Sequence, residues 1–142
     1  SSADGSRDLI RKKPFFIEIY DAEGRPVLKD AVNRPVLFDP DSGEIQATKS
    51  RPSELETYYG FGEKAFQEMS RNGKFIVNWN TDTFSYPVGT DPIYQSIPFF
   101  YGLYDGRAYG LFLNNTYRTF FDIGMTAPER FSFCAAGFYL DY

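Results

Sequence analysis

Histidine is absent from the sequence, and Cys134 is the single cysteine among its 142 residues. Without histidine, this chain cannot contain a Ser–His–Asp triad, a Cys–His dyad or a histidine-based zinc site. One cysteine cannot form an internal disulfide, so cysteine usage does not identify the compartment. We favour the cytoplasm because no feature of the sequence supports export. We expect neither a metal nor another cofactor.

Positive charge and long apolar runs are also scarce. Lysine and arginine number 15 against 19 acidic residues, which gives a net charge of −4. A nucleic-acid partner is not expected, because phosphate binding needs a basic surface. No run of 18 apolar residues is present, so we predict neither a membrane-spanning helix nor a membrane partner. Residues 1–13, SSADGSRDLIRKK, are polar and lack the apolar centre of a signal peptide, and we interpret them as a disordered end or linker.

Aromatic residues are abundant, at 19% of the chain, and phenylalanine and tyrosine supply most of them. These residues favour strands, and short runs of alternating apolar side chains recur between turns rich in Gly, Pro, Asn and Asp. Apart from one helical turn at 65–70, no segment is predicted to be helical. Strands are expected at 15–20, 25–29, 36–38, 44–49, 74–79, 96–104, 108–114, 116–123, 130–134 and 138–141. This pattern predicts an all-β fold, an antiparallel sandwich or barrel.

Two turn segments resemble known ligand motifs but have simpler interpretations. Gly60 and Gly62 lack the third glycine and the βαβ setting of a dinucleotide fingerprint, so we predict close backbone approach or a bulge. The segment DPDSG at 39–43, with Glu44, resembles half of a calcium loop. A complete calcium site needs about six to eight oxygen ligands, so a plain hairpin turn is the preferred interpretation.

The stretch NWNTDTFSYPVGT at 78–90 interrupts the strand pattern with a long polar loop, which begins beside the only tryptophan, Trp79. Asp82 and Asp91 flank its centre, and paired carboxylates about 5–5.5 Å or 6.5–9.5 Å apart hydrolyse glycosides. Loop acids more often cap turns, and Asp91 precedes a proline. We therefore prefer Asp82 as an acceptor of hydrogen bonds from a ligand hydroxyl.

The aromatic residues of the same loop allow two interpretations. Phe84 and Tyr86 alternate along the chain and could stack on a sugar ring. They could instead pack beneath the loop as a small apolar cluster, which the residues alone favour.

The segments YYGFGEK at 58–64 and WNTD at 79–82 together resemble the N-terminal domain of glycoside hydrolase family 31, the α-glucosidase-like enzymes. The continuation DPIYQSIPFFYGLYDGRAYGLFLNNTYRTFFDIG at 91–124 agrees in order and spacing, and FFIEIYDAEGR at 15–25 resembles the preceding strand and turn. The resemblance covers about residues 14–142 and rests on several motifs in order, which makes it specific.

This resemblance implies a galactose-mutarotase-like β-sandwich, or supersandwich, that spans residues 14–142 and packs on a catalytic (β/α)₈ barrel. In the family, a long loop of the sandwich reaches over the barrel mouth, and its aspartate contacts an α-linked glucoside or oligosaccharide. That aspartate matches Asp82. Thr83 and Phe84 fall in the adjoining variable part, which resembles a region that selects chain length. The implied partners are the sugar substrate and the barrel.

The segments that carry the family's nucleophile and its acid/base aspartate have no counterpart here, so we expect no catalytic residue and no activity from this chain alone. The chain resembles an excised piece of an α-glucosidase, an incomplete sandwich without the strands that precede Phe15 in the family. Homo-oligomers through exposed strand edges are then expected. Two alternatives remain, a purely structural scaffold and an independent carbohydrate-binding module that stacks sugar on Trp79, Phe84 and Tyr86.

Overall fold

The computed structural model describes residues 4–51, 54–137 and 139–142, which form strands and irregular segments. The strands are β1 Arg7–Lys12, β2 Phe15–Tyr20, β3 Pro26–Asp30, β4 Val36–Phe38, β5 Ile45–Ser50, β6 Thr57–Gly60, β7 Lys74–Asn78, β8 Phe99–Tyr104, β9 Arg107–Phe112, β10 Thr119–Ile123 and β11 Arg130–Ala135. Every pairing between them is antiparallel. None of the described segments is a helix with the length and hydrophobicity of a membrane span. The predicted all-β antiparallel class is confirmed.

The strands form two sheets that pack face to face. The larger has the order β1-β2-β3-β5-β11-β10-β7, with β4 also paired to β5, and the smaller has the order β6-β8-β9. Between them, the Phe131 ring of the large sheet meets Tyr58 and Phe100 of the small sheet edge to face, at centroid distances of 5.3 and 5.5 Å. Such ring pairs contribute about 0.5–1.5 kcal/mol each beyond the burial of apolar area. The architecture is therefore a sandwich rather than a barrel.

Strict alternation along β8 explains why this stretch forms a half-buried strand. Phe100 and Tyr104 point into the core, whereas Phe99, Tyr101 and Leu103 lie on the outer face of the small sheet. Successive side chains of a strand point to opposite faces, so alternate residues enter the core, although apolar residues occupy both faces of β8.

The expected disordered segment at 1–13 is wrong for residues 7–12, which form β1 and pair along their whole length with β2. All six side chains of β1 are exposed, so no apolar alternation reveals the strand in the sequence. A strand therefore does precede Phe15, contrary to the expectation. Residues 1–3 lie outside the described residues.

Further differences concern the bounds of the elements. The helical turn expected at 65–70 is wrong, since that segment is irregular and the Ala65 carbonyl accepts a hydrogen bond from Gly89 N at 2.5 Å. Of the strand expected at 138–141, Phe138 lies outside the described residues and 139–141 is irregular. Positions 96–98 and 116–118, which were expected to begin strands, are irregular too.

Both predicted turn structures are confirmed. Gly60 has a φ of +125°, and a methyl group placed on it would lie 2.8 Å from the Cα atom of Phe100, which is the close backbone approach expected. In the 39–43 turn, Gly43 N donates to the Asp39 carbonyl at 2.8 Å, and the Asp39 carboxylate accepts from Asp41 N at 2.9 Å. The carboxylate of Asp39 therefore closes a hairpin turn.

Candidate functional site

The loop at 79–98 connects β7 to β8, and a buried ion pair anchors its base. Lys64 Nζ lies 2.7 Å from Asp91 Oδ1, and both side chains are buried. The second oxygen of Asp91 accepts from Val77 N at 2.6 Å, while Lys64 Nζ also donates to Val77 O at 2.7 Å. Burial lowers the pKa of Lys64, against the opposing effect of Asp91. Both carboxylate oxygens of Asp91 are therefore engaged in holding the loop to β7.

Additional contacts tie the two limbs of the loop to each other. Ile93 is fully buried, and its carbonyl accepts a hydrogen bond from Thr81 N at 3.0 Å. The Thr81 hydroxyl donates to Pro92 O, also at 3.0 Å. Gly89 N also donates to Ala65 O at 2.5 Å, so the chain is held up to Thr81 and again from Gly89 onward, which leaves residues 82–88 as the tip of the loop.

The tip carries the three predicted substrate-binding residues, Asp82, Thr83 and Phe84. Asp82 is exposed, and its carboxylate makes no hydrogen bond or ion pair with the residues that the structure describes. Thr83 is half-buried, and its hydroxyl lies 3.0 Å from that of Thr81. Asp82 therefore lies exposed in the predicted loop, as contact with a ligand would require, while its role toward a sugar stays a prediction.

The two loop aromatics behave differently. Phe84 is 90% exposed, so the packing interpretation is wrong for this residue. Tyr86 is half-buried and donates a hydrogen bond to the Tyr94 hydroxyl at 3.3 Å, in agreement with packing. Hydrogen bonds with Glu63 and then Tyr86 raise the pKa of Tyr94, which keeps this phenol protonated. Only Phe84 therefore offers a free ring at the tip.

Chemically, the loop suits binding better than bond cleavage. Glycoside hydrolysis uses two carboxyl groups, one on each side of the bond that breaks. Asp91 is neutralised by Lys64 and saturated with hydrogen bonds, so it cannot act as the second group beside Asp82. What remains is one carboxylate that can accept strong hydrogen bonds, with an aromatic ring beside it.

A cavity of about 430 Å³ lies at the base of the loop, where β7 ends and where the irregular segments before β8 and β10 meet. Its walls include Trp79, Pro98 and Tyr117, and its floor includes Asn78 and Thr119. None of the described residues that line it is charged. We call it the Asn78 cavity.

The floor of the Asn78 cavity contains unsatisfied polar groups. Asn78 and Thr119 face each other across β7 and β10, and they are 3% and 1% exposed. Both amide atoms of Asn78, the Thr119 hydroxyl and the Ser96 hydroxyl are buried without a hydrogen-bond partner among the described residues. Such groups cost about 1–3 kcal/mol each when left unpaired. Sequence reasoning missed this cluster, because only the pairing of β7 with β10 brings Asn78 and Thr119 together.

Another buried carboxyl group, Glu56, lies just before β6. It accepts a hydrogen bond from the Tyr58 hydroxyl, and one of its oxygens lies 2.8 Å from the position that a methyl group on Gly102 would take. Burial raises the pKa of Glu56, and the same burial raises the pKa of Tyr58. Glu56 therefore lies against β8 inside the sandwich and accepts from the Tyr58 hydroxyl there, rather than forming part of the loop.

Comparisons with known proteins agree with this architecture. The family model of the glycosyl hydrolase 31 N-terminal galactose mutarotase-like domain matches residues 1–122. Alpha-glucosidase 2 of Bacillus thermoamyloliquefaciens is 36% identical over 135 residues, 94% of this chain and 16% of that protein. An alpha-glucosidase of Saccharolobus solfataricus is 43% identical over 75 residues, 53% of this chain and 11% of that protein. In structure, a Flavobacterium johnsoniae GH31 dextranase complexed with glucose matches 95% of this chain and 16% of its own, at a TM-score of 0.83 and 34% identity.

Proposed function

Because the chain belongs to glycosyl hydrolase family 31, as an N-terminal galactose mutarotase-like domain, we propose that it supplies a substrate-binding loop to the catalytic barrel of a longer α-glycosidase. The chain spans 16% of the length of the first α-glucosidase that it matches. The observation that carries the proposal is the free carboxylate of Asp82 at the tip of an anchored loop.

The division of the loop suits this role. The buried Lys64–Asp91 pair holds the base, so the tip is presented in a defined place without being packed against the domain. Asp82 accepts hydrogen bonds from sugar hydroxyls, which an ionised carboxylate does strongly. Thr83 and Phe84 contact the same or the next sugar unit. The barrel supplies the nucleophile and the acid/base group of a retaining reaction.

The proposed substrates are α-linked glucosides or oligosaccharides. Support comes from the relatives' names, since two are α-glucosidases and one similar solved structure is a dextranase. A single hydrogen-bonding carboxylate fits this class because each sugar unit carries several hydroxyl donors.

The decisive experiment replaces Asp82 in the full-length enzyme. Asp82→Asn keeps the shape of the side chain and removes its charge, so kcat/KM for an α-glucoside should fall about 10- to 100-fold, the loss of one charged hydrogen bond. Asp105→Asn is the matched control, an exposed aspartate in the turn between β8 and β9 that should change nothing. Wild-type kcat/KM in Asp82→Asn would contradict the proposal. The 142-residue chain alone should not hydrolyse p-nitrophenyl α-glucoside, and turnover by a pure sample would overturn that expectation.

Self-association of the chain remains part of the proposal. The outer face of the small sheet exposes Phe99, Tyr101, Leu103 and Phe112, and contiguous apolar side chains of this kind favour association. Sedimentation velocity at increasing concentration should show dimers or larger species. A strictly monomeric profile at high concentration would rule this expectation out.

A further inference from the structure

We propose that the Asn78 cavity binds one uncharged pyranose unit, using residues other than those at the tip of the loop. The inference goes beyond the proposed function, because the cavity and its test lie within this chain and need no barrel. It rests on three observations: unpaired buried polar groups, flanking aromatic rings and the absence of charge among the described residues that line the cavity.

The polar floor has the chemistry that adjacent sugar hydroxyls require. The Asn78 amide offers two donors and an acceptor, and the hydroxyls of Ser96 and Thr119 can each donate and accept. None of these groups has a hydrogen-bond partner among the described residues, although Asn78 and Thr119 are almost fully buried. Since each hydroxyl of a sugar can also donate and accept, one ring edge can pair with the amide and a neighbouring hydroxyl together. These polar atoms are closed off from solvent in the structure, so a sugar pairs with them only when the side chains of Asn78, Ser96 and Thr119 turn toward the cavity. That pairing removes the cost of leaving them unsatisfied.

Two aromatic residues, Trp79 and Tyr117, line the cavity and can contact a sugar ring. Tyr117 is held by a hydrogen bond from its backbone N to Asn115 Oδ1 at 2.8 Å. Its ring lies across Gly137, where an added methyl group would come within 2.6 Å of the tyrosine Cε2 atom. Trp79 lines the cavity and keeps about half of its surface exposed. Aromatic walls with a few convergent polar groups are typical of small-molecule sites.

The volume of the Asn78 cavity and its uncharged lining restrict the class of ligand that it can bind. The volume of about 430 Å³ lies in the range of ligand pockets, about 300–1,000 Å³. A phosphate or carboxylate ligand would need a basic partner, and no charged side chain is found among the described residues of the lining. A neutral pyranose satisfies the polar floor and the apolar walls without introducing an unpaired charge.

Trp79 makes the proposal directly measurable, because it is the only tryptophan of the chain. Tryptophan emission of the 142-residue chain is followed while maltose, glucose or sorbitol is added. Maltose and glucose should give a saturable change, whereas sorbitol, which has hydroxyls but no ring, should give none. A linear response to all three, or no response to either sugar, overturns the proposal.

Three variants assign the binding to the cavity. Asn78→Leu should weaken sugar binding at least about tenfold, as expected when hydrogen bonds to a buried polar group are lost. Thr119→Val, which keeps the shape of the side chain, should weaken it severalfold. Asp105→Asn, in the exposed turn between β8 and β9 and away from the cavity lining, is the control and should bind sugar like the wild type. Sugar binding that survives both cavity variants, or that disappears in Asp105→Asn, overturns the proposal.

Thermal melting separates a ligand role from a structural role. Replacing unsatisfied buried polar groups with apolar ones should leave the melting temperature of Asn78→Leu and Thr119→Val unchanged or higher. If Asn78→Leu does not fold, Thr119→Val decides. A clear fall in melting temperature for Thr119→Val would show that this hydroxyl serves the fold and would count against the binding site. Because no barrel is involved, failure of this test leaves the role of Asp82 unaffected.

Discussion

The base and the tip of the loop at 79–98 contain the same residue types in opposite environments. At the base, Asp91 is buried against Lys64 and accepts a backbone hydrogen bond, and Ile93 is fully buried. At the tip, Asp82 is exposed without a partner among the described residues, and Phe84 is exposed as well. One aspartate and one apolar residue therefore serve the fold, whereas the other two leave their chemistry available to a ligand.

This difference explains how an irregular loop can present a site. An unanchored loop of this length would lose much conformational entropy when it became ordered on a ligand. The ion pair and the Thr81–Ile93 hydrogen bond already order the base of the loop when the domain folds. Its conformational entropy is therefore lost on folding and not on ligand binding. If the loop binds substrate as we propose, only the few tip residues remain to be ordered.

The largest expected loss of stability comes from breaking the Lys64–Asp91 ion pair that anchors the base of the loop. Lys64→Met removes the cation and leaves the Asp91 carboxylate buried without a counter-charge, which should lower the free energy of unfolding by about 3–5 kcal/mol. Urea denaturation of the 142-residue chain measures the loss. If the base is held as the structure shows, the effect should be among the largest of any single polar substitution in the chain.

A second substitution tests the cause of that loss. Adding Asp91→Asn to Lys64→Met removes the uncompensated charge while an amide oxygen can still accept from Val77 N, so part of the stability should return. A Lys64→Met variant that loses less than about 1 kcal/mol, like a surface ion pair, would break the contrast between base and tip.

Ile93, the buried apolar residue at the base of the loop, should have the next largest effect on the free energy of unfolding. Ile93→Ala removes a fully buried side chain and should cost about 2–3 kcal/mol, in the lower part of the range for such substitutions because the loop can move into the space. Val88→Ala is the control in the same loop, since Val88 is exposed and its truncation should cost less than about 0.5 kcal/mol. Equal losses for both variants, measured by urea denaturation, would contradict a packed base.

Glu56 extends the comparison to a buried carboxyl group that, unlike Asp91, forms no ion pair with a described residue. Burial raises its pKa above the ordinary value of 4.5. The folded protein therefore keeps this proton to higher pH than the unfolded chain does. Stability should fall as pH rises from about 4.5 through the raised pKa, with a slope of at most about 1.4 kcal/mol per pH unit.

The Glu56→Gln variant tests whether Glu56 causes the predicted fall in stability with rising pH. The amide cannot ionise, so the part of the pH dependence that comes from Glu56 should vanish. The free energy of unfolding is measured in urea at several pH values between 4.5 and 8 for wild type and variant. Parallel curves would mean that Glu56 does not titrate differently in the folded and unfolded states.

The fold class and the exposure of Asp82 were predictable because both depend on local patterns. Short runs rich in aromatic and β-branched residues, such as FFIEIY at 15–20 and FFYGLY at 99–104, predict strands. Loss of that pattern after Trp79 predicts a loop, where a lone aspartate is normally exposed. The resemblance to a known family added the sandwich architecture and the role expected of Asp82.

The remaining features depend on contacts between distant residues. Strand β1 has no buried face, so only its pairing with β2 reveals it. Nothing near Lys64 indicates that it meets an aspartate 27 residues later. Asn78 and Thr119 look like ordinary residues at the ends of strands until β7 pairs with β10. Local periodicity carries no information on such partners.

Substitutions at the tip should have the smallest effect on the free energy of unfolding, and they test the difference between base and tip most directly. Asp82→Asn and Phe84→Ala should each change the free energy of unfolding by less than about 0.5 kcal/mol, because neither side chain is buried or paired among the described residues. The matched control is Tyr86→Phe, two positions beyond Phe84. It removes a hydroxyl that is hydrogen-bonded to Tyr94, so it shows the effect on stability of a tip residue that does have a partner. A loss above about 1 kcal/mol in Asp82→Asn would mean that the carboxylate serves the fold. A side chain that is dispensable for stability yet needed for kcat/KM in the full-length enzyme can only act on the substrate or on the domain that binds it.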